Sequence, residues 1–397
     1  MKGLLIHIKY FPLKVIALFK LISFLITELK KIKKAEVVYF FPFYHTGGAE
    51  KVHLDIVCAL NNPKDYVFFT NKSASDKFKS AFNEVAATYD TFELLNRNQW
   101  VRNRFIKIVV GQLNKSKNLH TVFGCNSALY YEILPLLSKS IQKIDLIHAF
   151  SKPDYGLEIY SLPMVPVLDH RVVINTSTLN DFKELYTENN LNDFLNRIKV
   201  IPNGLKLTTE VYSEKPSEKF SVGFVGRWAK EKRPELFLKI AEKVKKEIPE
   251  IAFIMAGTGM EDKNEQIEKS GVENKGEIIR QSELAQLYNK LNVLLITSYR
   301  EGFPVVIMEA MSNGVVPVSV DIGGISECLK SNYNGFLIEN NENEEIIIEE
   351  FAEKIKFLFE NKAIFNQVSR QAFSDAQQEF GIDRFNSSYR ALLSNNK

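Results

Sequence analysis

The sequence has few cysteines and lacks the ligand patterns that mark a metal site. Its cysteines, Cys58, Cys125 and Cys328, are odd in number and far apart, which argues against a disulfide framework or a thiolate cluster. The histidines include no pair at metal-ligand spacing, and no Asp-x-Asp triplet is present. We therefore predict a protein of a reducing compartment with neither a bound metal nor a cofactor.

Long apolar runs free of charge are also missing. The best candidate for a membrane span, residues 11–29, is interrupted by Lys14 and Lys20. Each lysine costs about 2.5 to 3.5 kcal/mol near the bilayer centre, so a spanning helix is disfavoured. No small-residue cleavage site follows the run, which disfavours a signal peptide.

The same N-terminal segment has the pattern of an amphipathic helix. On a helical wheel the polar side comprises Lys20, Ser23, Thr27, Lys30, Lys31 and Lys34. The other side is predicted to be apolar and to comprise Leu18, Leu21, Ile22, Leu25, Ile26, Leu29 and Ile32. We predict that residues 11–34 hold the protein peripherally on the cytoplasmic face of a membrane. The alternative is a helix that packs on its own domain with a solvated lysine face.

Net positive charge is confined to this segment. Residues 1–34 contain eight lysines and one acid, a charge of +7, whereas the whole chain carries +3 and the remainder therefore −4. A chain whose basic character is confined to its N-terminus is not expected to bind nucleic acid.

The length of 397 residues exceeds one ordinary hydrophobic core and predicts two domains. Apolar strand-like runs alternate with helical segments, which is typical of parallel sheets covered by helices. The predicted strands lie in AEVVYFFP, DYVFFT, LHTVFG, KIDLIHAF, RVVINTS, FSVGFVG, IAFIMAG, LNVLLITS and VVPVSV. The predicted segments are an N-terminal extension over 1–35, a first α/β domain over 36–205, a linker over 206–219, a second α/β domain over 220–378 and a C-terminal helix within 379–397.

A basic loop follows the first strand of the second domain. The strand ends at Gly226 and Pro234 suits the first turn of the next helix, so Arg227 and Lys232 lie on the connecting loop. Open α/β sheets bind ligands at this end of a parallel strand, and a guanidinium with an ammonium could neutralise a diphosphate. A solvated basic loop is the alternative.

Two features of the first domain occupy equivalent positions. Gly47 and Gly48 lie between a strand and a helix, where backbone can approach an anion closely, although a plain tight turn explains the pair almost as well. His148 closes an apolar strand and is either structural or placed at a ligand.

The segment REGFPVVIMEAMSNG contains a charge within an apolar helix. Pro304 suits its first turn and Gly314 its C-terminal cap, yet Glu309 sits among apolar residues. A buried carboxylate needs a partner. That partner is either an internal Arg or Lys, or ligand hydroxyls, which Glu301 could also bind from the preceding loop.

Taken together, these motifs resemble glycosyltransferase family 4: retaining, GT-B-fold enzymes that use a nucleotide-sugar donor. The resemblance rests on GGAEKV, IPNGL, FVGRWAKEKRPE, FIMAGTG, the stretch from Ser282 to Glu327, and NGFLI. It implies two Rossmann-like domains that face each other across a cleft, an acceptor domain followed by a donor-binding domain, and a final helix that returns to the first domain.

The resemblance also implies a role for each site residue. Arg227 and Lys232 would bind the donor diphosphate, Glu301 would lie near the transferred sugar and Glu309 would bind ribose hydroxyls. Gly302, Phe303 and Pro304 would contact the sugar through their backbone, His148 would lie near the sugar, and Gly47 and Gly48 beside the diphosphate. Arg227, Lys232, Glu301 and His148 are the predicted catalytic residues.

The expected activity is transfer of a hexosyl or N-acetylhexosaminyl group, from a UDP-sugar in preference to other donors. The expected acceptor is a hydroxyl of a glycan or lipid-linked saccharide in cell-surface polysaccharide biosynthesis. Two alternatives are a GT-B-fold sugar-nucleotide epimerase and an inactive nucleotide-binding subunit. The base, the sugar, the acceptor and the oligomeric state cannot be predicted from the sequence.

Overall fold

The structure is a computed structural model that describes residues 16–45, 47–151, 156–207, 211–215 and 219–394. The chain divides into two compact units. Unit 1 comprises Met1–Val173, Asp181–Ile201 and Asn386–Lys397. Unit 2 comprises Ile174–Asn180 and Pro202–Phe385.

Each unit is built on one parallel sheet. Unit 1 has seven strands in the order β3-β2-β1-β4-β5-β6-β7, and unit 2 has six in the order β10-β9-β8-β11-β12-β13. The strands are β1 Val37–Phe41, β2 Tyr66–Phe69, β3 Ala87–Asp90, β4 Thr121–Cys125, β5 Gln142–Ile147, β6 His170–Val173, β7 Ile198–Val200, β8 Ser221–Val225, β9 Ala252–Ala256, β10 Val272–Asn274, β11 Val293–Ile296, β12 Val316–Val320 and β13 Phe336–Ile338.

Helices connect the strands, as parallel pairing requires. They are α1 16–27, α2 Leu29–Lys34, α3 Gly48–Leu60, α4 Lys79–Val85, α5 Phe92–Asn96, α6 Gln99–Lys115, α7 Ala128–Ile133, α8 Leu157–Tyr160, α9 Thr176–Glu188, α10 Pro234–Glu247, α11 Asn264–Lys269, α12 Gln281–Lys290, α13 Val305–Ser312, α14 Ile325–Cys328, α15 Glu344–Glu360, α16 Lys362–Glu379 and α17 Ile382–Leu393. Within the described residues, no helix combines the length and apolar character needed to cross a membrane.

The strand order places a topological switch point in both sheets. In unit 1 the chain leaves β1 toward β2 on one side and later returns to β4 on the other; in unit 2, β8 and β11 flank the corresponding point. The carboxyl ends of the strands beside a switch point form a crevice in which α/β proteins bind ligands. The loops after β1, β4, β8 and β11 are therefore the first places to look for a site.

Helix α1 packs on unit 1 with one face and exposes apolar side chains on another. The Phe24 ring lies 4.9 Å from the Phe105 ring and 5.0 Å from the Tyr89 ring, centroid to centroid. The buried face comprises Ala17, Leu21 and Phe24 of α1 and continues through Glu28 to Ile32 of α2. The exposed apolar side chains are Ile16, Leu18, Phe19, Ile22 and Ile26.

The predicted apolar side of this segment is divided between two environments. Leu21 and Ile32 are buried in unit 1, whereas Leu18, Ile22 and Ile26 face solvent, with Ile26 71% exposed. One part of a broad apolar side thus packs on the protein, and the other part is exposed. Residues 11–15 of the predicted membrane segment lie outside the described residues.

The last helix contacts unit 1 through its second half. The Tyr389 ring lies 6.1 Å from the Phe123 ring, centroid to centroid, and Arg390 Nε donates to the Ala59 carbonyl at 2.6 Å. These contacts explain why the chain from Asn386 onward is part of unit 1.

Candidate functional site

Two loops at the carboxyl edge of the unit 2 sheet meet through an ion pair. Lys232 lies on the loop between β8 and α10, and Glu301 on the loop between β11 and α13. Lys232 Nζ donates to Glu301 Oε1 at 2.5 Å, and Ser298 Oγ donates to the same oxygen at 2.7 Å. The Lys232 side chain is 25% exposed and that of Glu301 10%, so the pair is shielded but open to a ligand. Two residues that are far apart in sequence thus form one charged centre.

The loop that carries Lys232 is held by the neighbouring strand. Thr297 Oγ1 lies 2.8 Å from the Lys232 carbonyl oxygen and 3.1 Å from the Arg233 carbonyl oxygen, which share its single hydrogen. Arg233 has a φ of +49°, in the left-handed region, and Pro234 begins α10 as the sequence predicts. Because a non-glycine residue in this region is disfavoured, this shared hydrogen bond from Thr297 helps to hold the conformation of the loop.

Arg227 lies on the same loop but has a looser environment. Its guanidinium pairs with Glu231 at 3.3 Å, and its side chain is 54% exposed. An exposed pair of this kind contributes little stability, so the guanidinium can turn toward an incoming anion at small cost.

The loop after Glu301 is fixed through its backbone. The Gly302 carbonyl accepts from Asn175 Nδ2 at 3.0 Å and from the Gly324 amide at 2.9 Å. Gly323 has a φ of +56°, and a Cβ there would lie 2.0 Å from the Glu301 carbonyl oxygen. A glycine is therefore required at this position for the two loops to touch.

Phe303 and Pro304 lead into helix α13. The Phe303 ring lies 5.8 Å from the Phe380 ring, centroid to centroid, and Pro304 is the residue immediately before the helix. Gly314 follows the helix with a φ of +67°, which fits its predicted role in the C-terminal cap.

The carboxylate of Glu309 is buried in α13 and bonded to a tyrosine. Tyr288 Oη, from α12, donates to Glu309 Oε2 at 2.9 Å, and Glu309 is 9% exposed. Burial and, secondarily, the Glu309 charge raise the pKa of Tyr288, so the phenol remains a donor. The expectation offered an internal cation or a ligand as partner; among the partners of this carboxylate is a neutral hydroxyl, which that expectation did not include.

In unit 1 the Glu50 carboxylate lies beside the turn formed by Gly47 and Gly48. Gly47 precedes α3 and Gly48 is its first residue. A Cβ on Gly47 would lie 2.1 Å from Glu50 Oε2, and Glu50 Oε1 is 3.7 Å from His45 Nε2. The space beside the glycine is thus filled by a carboxylate in this structure.

His148 joins two other side chains of unit 1 that could bind a metal. It follows β5, Cys125 ends β4 and His53 lies on α3. The two Nε2 atoms are 3.2 Å apart, and the ligand atoms of all three residues lie within 4.8 Å of one another. Local spacing in the sequence does not reveal this group, because its three residues come together only in the folded chain.

Burial keeps both imidazoles neutral. Loss of solvent lowers the pKa of His148 to about 4 and, with the neighbouring His148 ring, lowers the pKa of His53 well below its ordinary value. Burial likewise raises the pKa of the Cys125 thiol, so that side chain stays protonated.

Among the residues of these sites that were not predicted are Tyr288, Asn175, Ser298 and His53. Tyr288 and His53 occupy the buried faces of α12 and α3, so helical periodicity could have placed them inside but not beside Glu309 or His148. Asn175 carries no comparable signal, because the tertiary fold brings its loop to Gly302. Ser298 lies three residues before Glu301 on the same loop, so its contact is local.

The architecture around these residues is that of the GT-B glycosyltransferases. The structure of Anabaena Alr3699/HepE in complex with UDP superposes with a TM-score of 0.71 at 18% identity, covering 90% of this chain and 99% of that one. The predicted GT-B fold, with two parallel-sheet α/β domains, is thereby confirmed.

The second domain can be assigned more closely. Residues 209–379 match the family model of the glycosyl transferases group 1. This segment is therefore a domain of that family, and it contains Arg227, Lys232, Glu301 and Glu309.

Curated relatives match over different lengths. A UDP-N-acetylglucosamine--peptide N-acetylglucosaminyltransferase GtfA subunit of Streptococcus pneumoniae serotype 4 is 31% identical over 175 residues, 42% of this chain and 34% of the relative. The chain thus covers about a third of that protein. A GalNAc-alpha-(1->4)-GalNAc-alpha-(1->3)-diNAcBac-PP-undecaprenol alpha-1,4-N-acetyl-D-galactosaminyltransferase of Campylobacter jejuni is 24% identical over 315 residues, 76% of this chain and 84% of the relative.

Proposed function

We propose that the protein is a retaining glycosyltransferase of family 4 that moves a sugar from a nucleotide-sugar, a UDP-sugar in preference to others, to an acceptor hydroxyl. The observation that carries this proposal is the contact between Lys232 and Glu301 in the glycosyl transferases group 1 domain. One loop supplies an ammonium for a diphosphate and the other a carboxylate for sugar hydroxyls, at the edge where α/β sheets bind ligands.

The charged loop would serve the leaving group. As the bond from the sugar C1 to the diphosphate oxygen breaks, negative charge grows on the nucleoside diphosphate, and Lys232 and Arg227 would stabilise it. The acceptor oxygen would form the new bond to C1 on the same face, and its proton would pass to the leaving diphosphate. Side-chain cations provide the positive charge in this scheme, so we expect activity in the presence of EDTA.

The remaining residues would orient the donor. Glu309, held by Tyr288, would accept hydrogen bonds from the ribose hydroxyls, and Glu301 would lie at the transferred sugar. The Gly302 carbonyl is held by Asn175 and Gly324, and the backbone from Gly302 to Pro304 would contact the sugar. We assign His148 to a sugar hydroxyl, and Gly47 and Gly48 to the diphosphate, where Glu50 would have to move aside.

The acceptor we propose is a lipid-linked saccharide in cell-surface polysaccharide synthesis, approached at the cytoplasmic face of a membrane. The support is the exposed face of α1, where Phe19 is 68% and Ile26 71% exposed, followed by the lysines of α2. Apolar side chains next to basic ones suit the interface of an anionic bilayer. The Campylobacter relative is named for an undecaprenol-linked acceptor, whereas the pneumococcal relative is named for a peptide, so a peptide is the competing acceptor.

Donor identity can be tested by thermal shift across UDP-, GDP- and ADP-sugars, since a ligand that binds the folded state raises its stability by mass action. We expect a UDP-sugar to stabilise the protein most, and UDP release to require an acceptor. Interconversion of the sugar-nucleotide without acceptor would support an epimerase instead. Stabilisation with neither transfer nor epimerisation, across lipid-linked and peptide acceptors, would support an inactive subunit.

The membrane part can be tested separately by flotation with vesicles. The full chain should float with anionic vesicles at low salt and float less with neutral ones. Replacing both Phe19 and Ile26 by Ser should abolish flotation, while Val211→Ser, at an apolar residue that is also exposed but lies in unit 2, should not. Unchanged flotation of the double variant would contradict the proposed docking face.

A further inference from the structure

The contact between His53 and His148 determines which nitrogen of His148 carries the proton. The two Nε2 atoms are 3.2 Å apart, close enough for a hydrogen bond. His53 is fully buried and stacks on the Phe41 ring at 4.4 Å, with the ring planes 3° apart, so it cannot turn easily. Two neutral imidazoles at this distance share one hydrogen: one Nε2 donates and the other accepts.

Which of the two Nε2 atoms is the donor can be inferred from the other nitrogen of the His53 ring, Nδ1. Its Nδ1 is buried and has no hydrogen-bond partner among the described residues. If His148 donated, His53 would keep its own proton on Nδ1 as a buried donor without an acceptor. An unpaired buried N–H is rarer in proteins than an under-used acceptor. The hydrogen therefore lies on His53 Nε2, which donates to His148 Nε2.

The consequence for His148 is that its own proton must lie on Nδ1. Within the part of the chain that the structure describes, the bond to His53 is the one hydrogen bond of the His148 ring. The ring is half-buried, so the Nδ1–H can reach a ligand. With Nε2 occupied, His148 can donate a hydrogen bond to that ligand but cannot accept one.

A metal ion shared by His53, Cys125 and His148 explains the geometry less well. The ligand atoms lie within 4.8 Å of one another and the two Nε2 atoms 3.2 Å apart, so distance alone does not decide between an ion and a hydrogen bond. A metal-bound histidine almost always donates its second N–H to a partner, which His53 Nδ1 lacks among the described residues. The hydrogen-bonded pair requires no such partner.

We propose that His53 is a positioning residue that fixes His148 as the Nδ1–H tautomer, so that His148 donates a hydrogen bond to a hydroxyl of the bound sugar and does not act as a base. The tautomer is a property of the chain alone, while its use toward a sugar rests on the proposed function. The two parts can therefore fail independently.

The tautomer can be read by NMR on protein labelled with ¹⁵N-histidine, with the His148 signals assigned by their loss in His148→Gln. We expect a bare Nε2 and a protonated Nδ1 in the wild type, a result that needs no variant. His53→Gln, which keeps an N–H donor, should retain this pattern, and His53→Leu should give a mixture of tautomers. The matched control is Val57→Ala, one turn along the same buried helix, which should leave the signals unchanged. A protonated His148 Nε2 in the wild type, or no change in His53→Leu, would overturn the proposal.

Kinetics test the second part. His53→Leu should raise the KM for the nucleotide-sugar about 2- to 10-fold, the usual worth of one hydrogen bond, with a smaller change in kcat, and His53→Gln should recover most of it. Equal KM values for wild type and His53→Leu would refute the use toward sugar, even with the NMR result intact. Stoichiometric Co²⁺ binding with a thiolate absorption band, lost in Cys125→Ala but not in Cys328→Ala, would overturn the whole proposal in favour of a metal site.

Discussion

The two sheets have the same strand order around their switch points, yet their carboxyl edges carry opposite chemistry. In unit 2 the edge is charged, with Lys232 on Glu301 and Arg227 nearby on the same loop. In unit 1, apart from the Glu50 carboxylate beside Gly47, it holds neutral groups, the imidazoles of His53 and His148 and the thiol of Cys125.

This difference separates two kinds of recognition. Flexible cations on a loop attract an anion from any direction, and their effect depends on charge. A neutral imidazole fixed by a second imidazole offers one donor in one direction, and its effect depends on geometry. On the proposed function, the charged edge would stabilise the leaving diphosphate, and the neutral edge would select a hydroxyl.

The largest effect is expected when the charged edge loses its shielded cation. Lys232→Ala should lower kcat at least about 10²-fold, because removing one preorganised electrostatic group from an active site commonly has that effect. Arg227→Ala should also lower kcat strongly, since its guanidinium would stabilise the same leaving group. Steady-state kinetics with saturating donor would measure both.

The control for this experiment is Lys230→Ala. Lys230 shares the short 3-10 turn with Lys232 but is exposed and should be nearly silent. Near-wild-type turnover in Lys232→Ala and in Arg227→Ala would refute the assignment of both residues.

The next largest effect is expected from Glu301→Gln, which removes the negative charge of this side chain and keeps its shape. Glu301→Gln keeps the size of the side chain and its contact with Ser298 but frees Lys232 from a negative partner. We expect kcat to fall about 10-fold or more, while binding of UDP, measured by calorimetry, stays equal or becomes tighter. Glu231→Gln, at the partner of Arg227, is the matched control. Weaker UDP binding in Glu301→Gln would mean that Glu301 does not compete for Lys232.

The strands that the sequence predicts are the central ones. All nine predicted strands are present, and the four that it missed are β3, β7, β10 and β13, which form the outer edges of the two sheets. Each edge strand has three or four residues and pairs on one side. A short strand with one neighbour needs no long apolar run, so its pattern is too weak to detect.

The sites divide in the same way. Residues in the loops that follow strands, such as Arg227, Glu301 and His148, could be predicted from position and motif. Their partners could not: His53 contacts His148 across 95 residues, and Tyr288 contacts Glu309 from another helix. These pairings depend on how helices pack on the sheet, which neither periodicity nor spacing specifies.

A smaller effect is expected at the neutral edge, where His53 and His148 should make the stability of the protein depend on pH. The pKa values of His53 and His148, the latter about 4, lie below the unfolded value near 6.5. Between these pH values the unfolded chain binds protons that the folded chain does not, so stability falls as pH falls. Each histidine contributes up to about 1.4 kcal/mol per pH unit.

Urea midpoints at pH 7, 6 and 5 would measure this response. His53→Gln removes one of the two groups, so its stability deficit relative to wild type should shrink as the pH falls. The deficit of Val57→Ala, which creates a cavity without a titrating group, should stay constant across the same series. A constant deficit for His53→Gln would indicate that the histidine is not held neutral in the folded protein.

The smallest effect is expected from salt, and it tests both edges with one titration. Ions screen charges over roughly 10 Å at 0.1 M and less at higher concentration, so the Kd for UDP should rise several-fold between 50 mM and 500 mM NaCl. Lys232→Ala should show a shallower rise, because one of the screened charges has been removed. The ratio of KM values for a UDP-sugar between His53→Leu and wild type should instead stay within about two-fold across the range, because a hydrogen bond between neutral groups is little affected by screening. A ratio that collapses in high salt would mean that His148 acts through charge, and the two edges would then differ in degree rather than in kind.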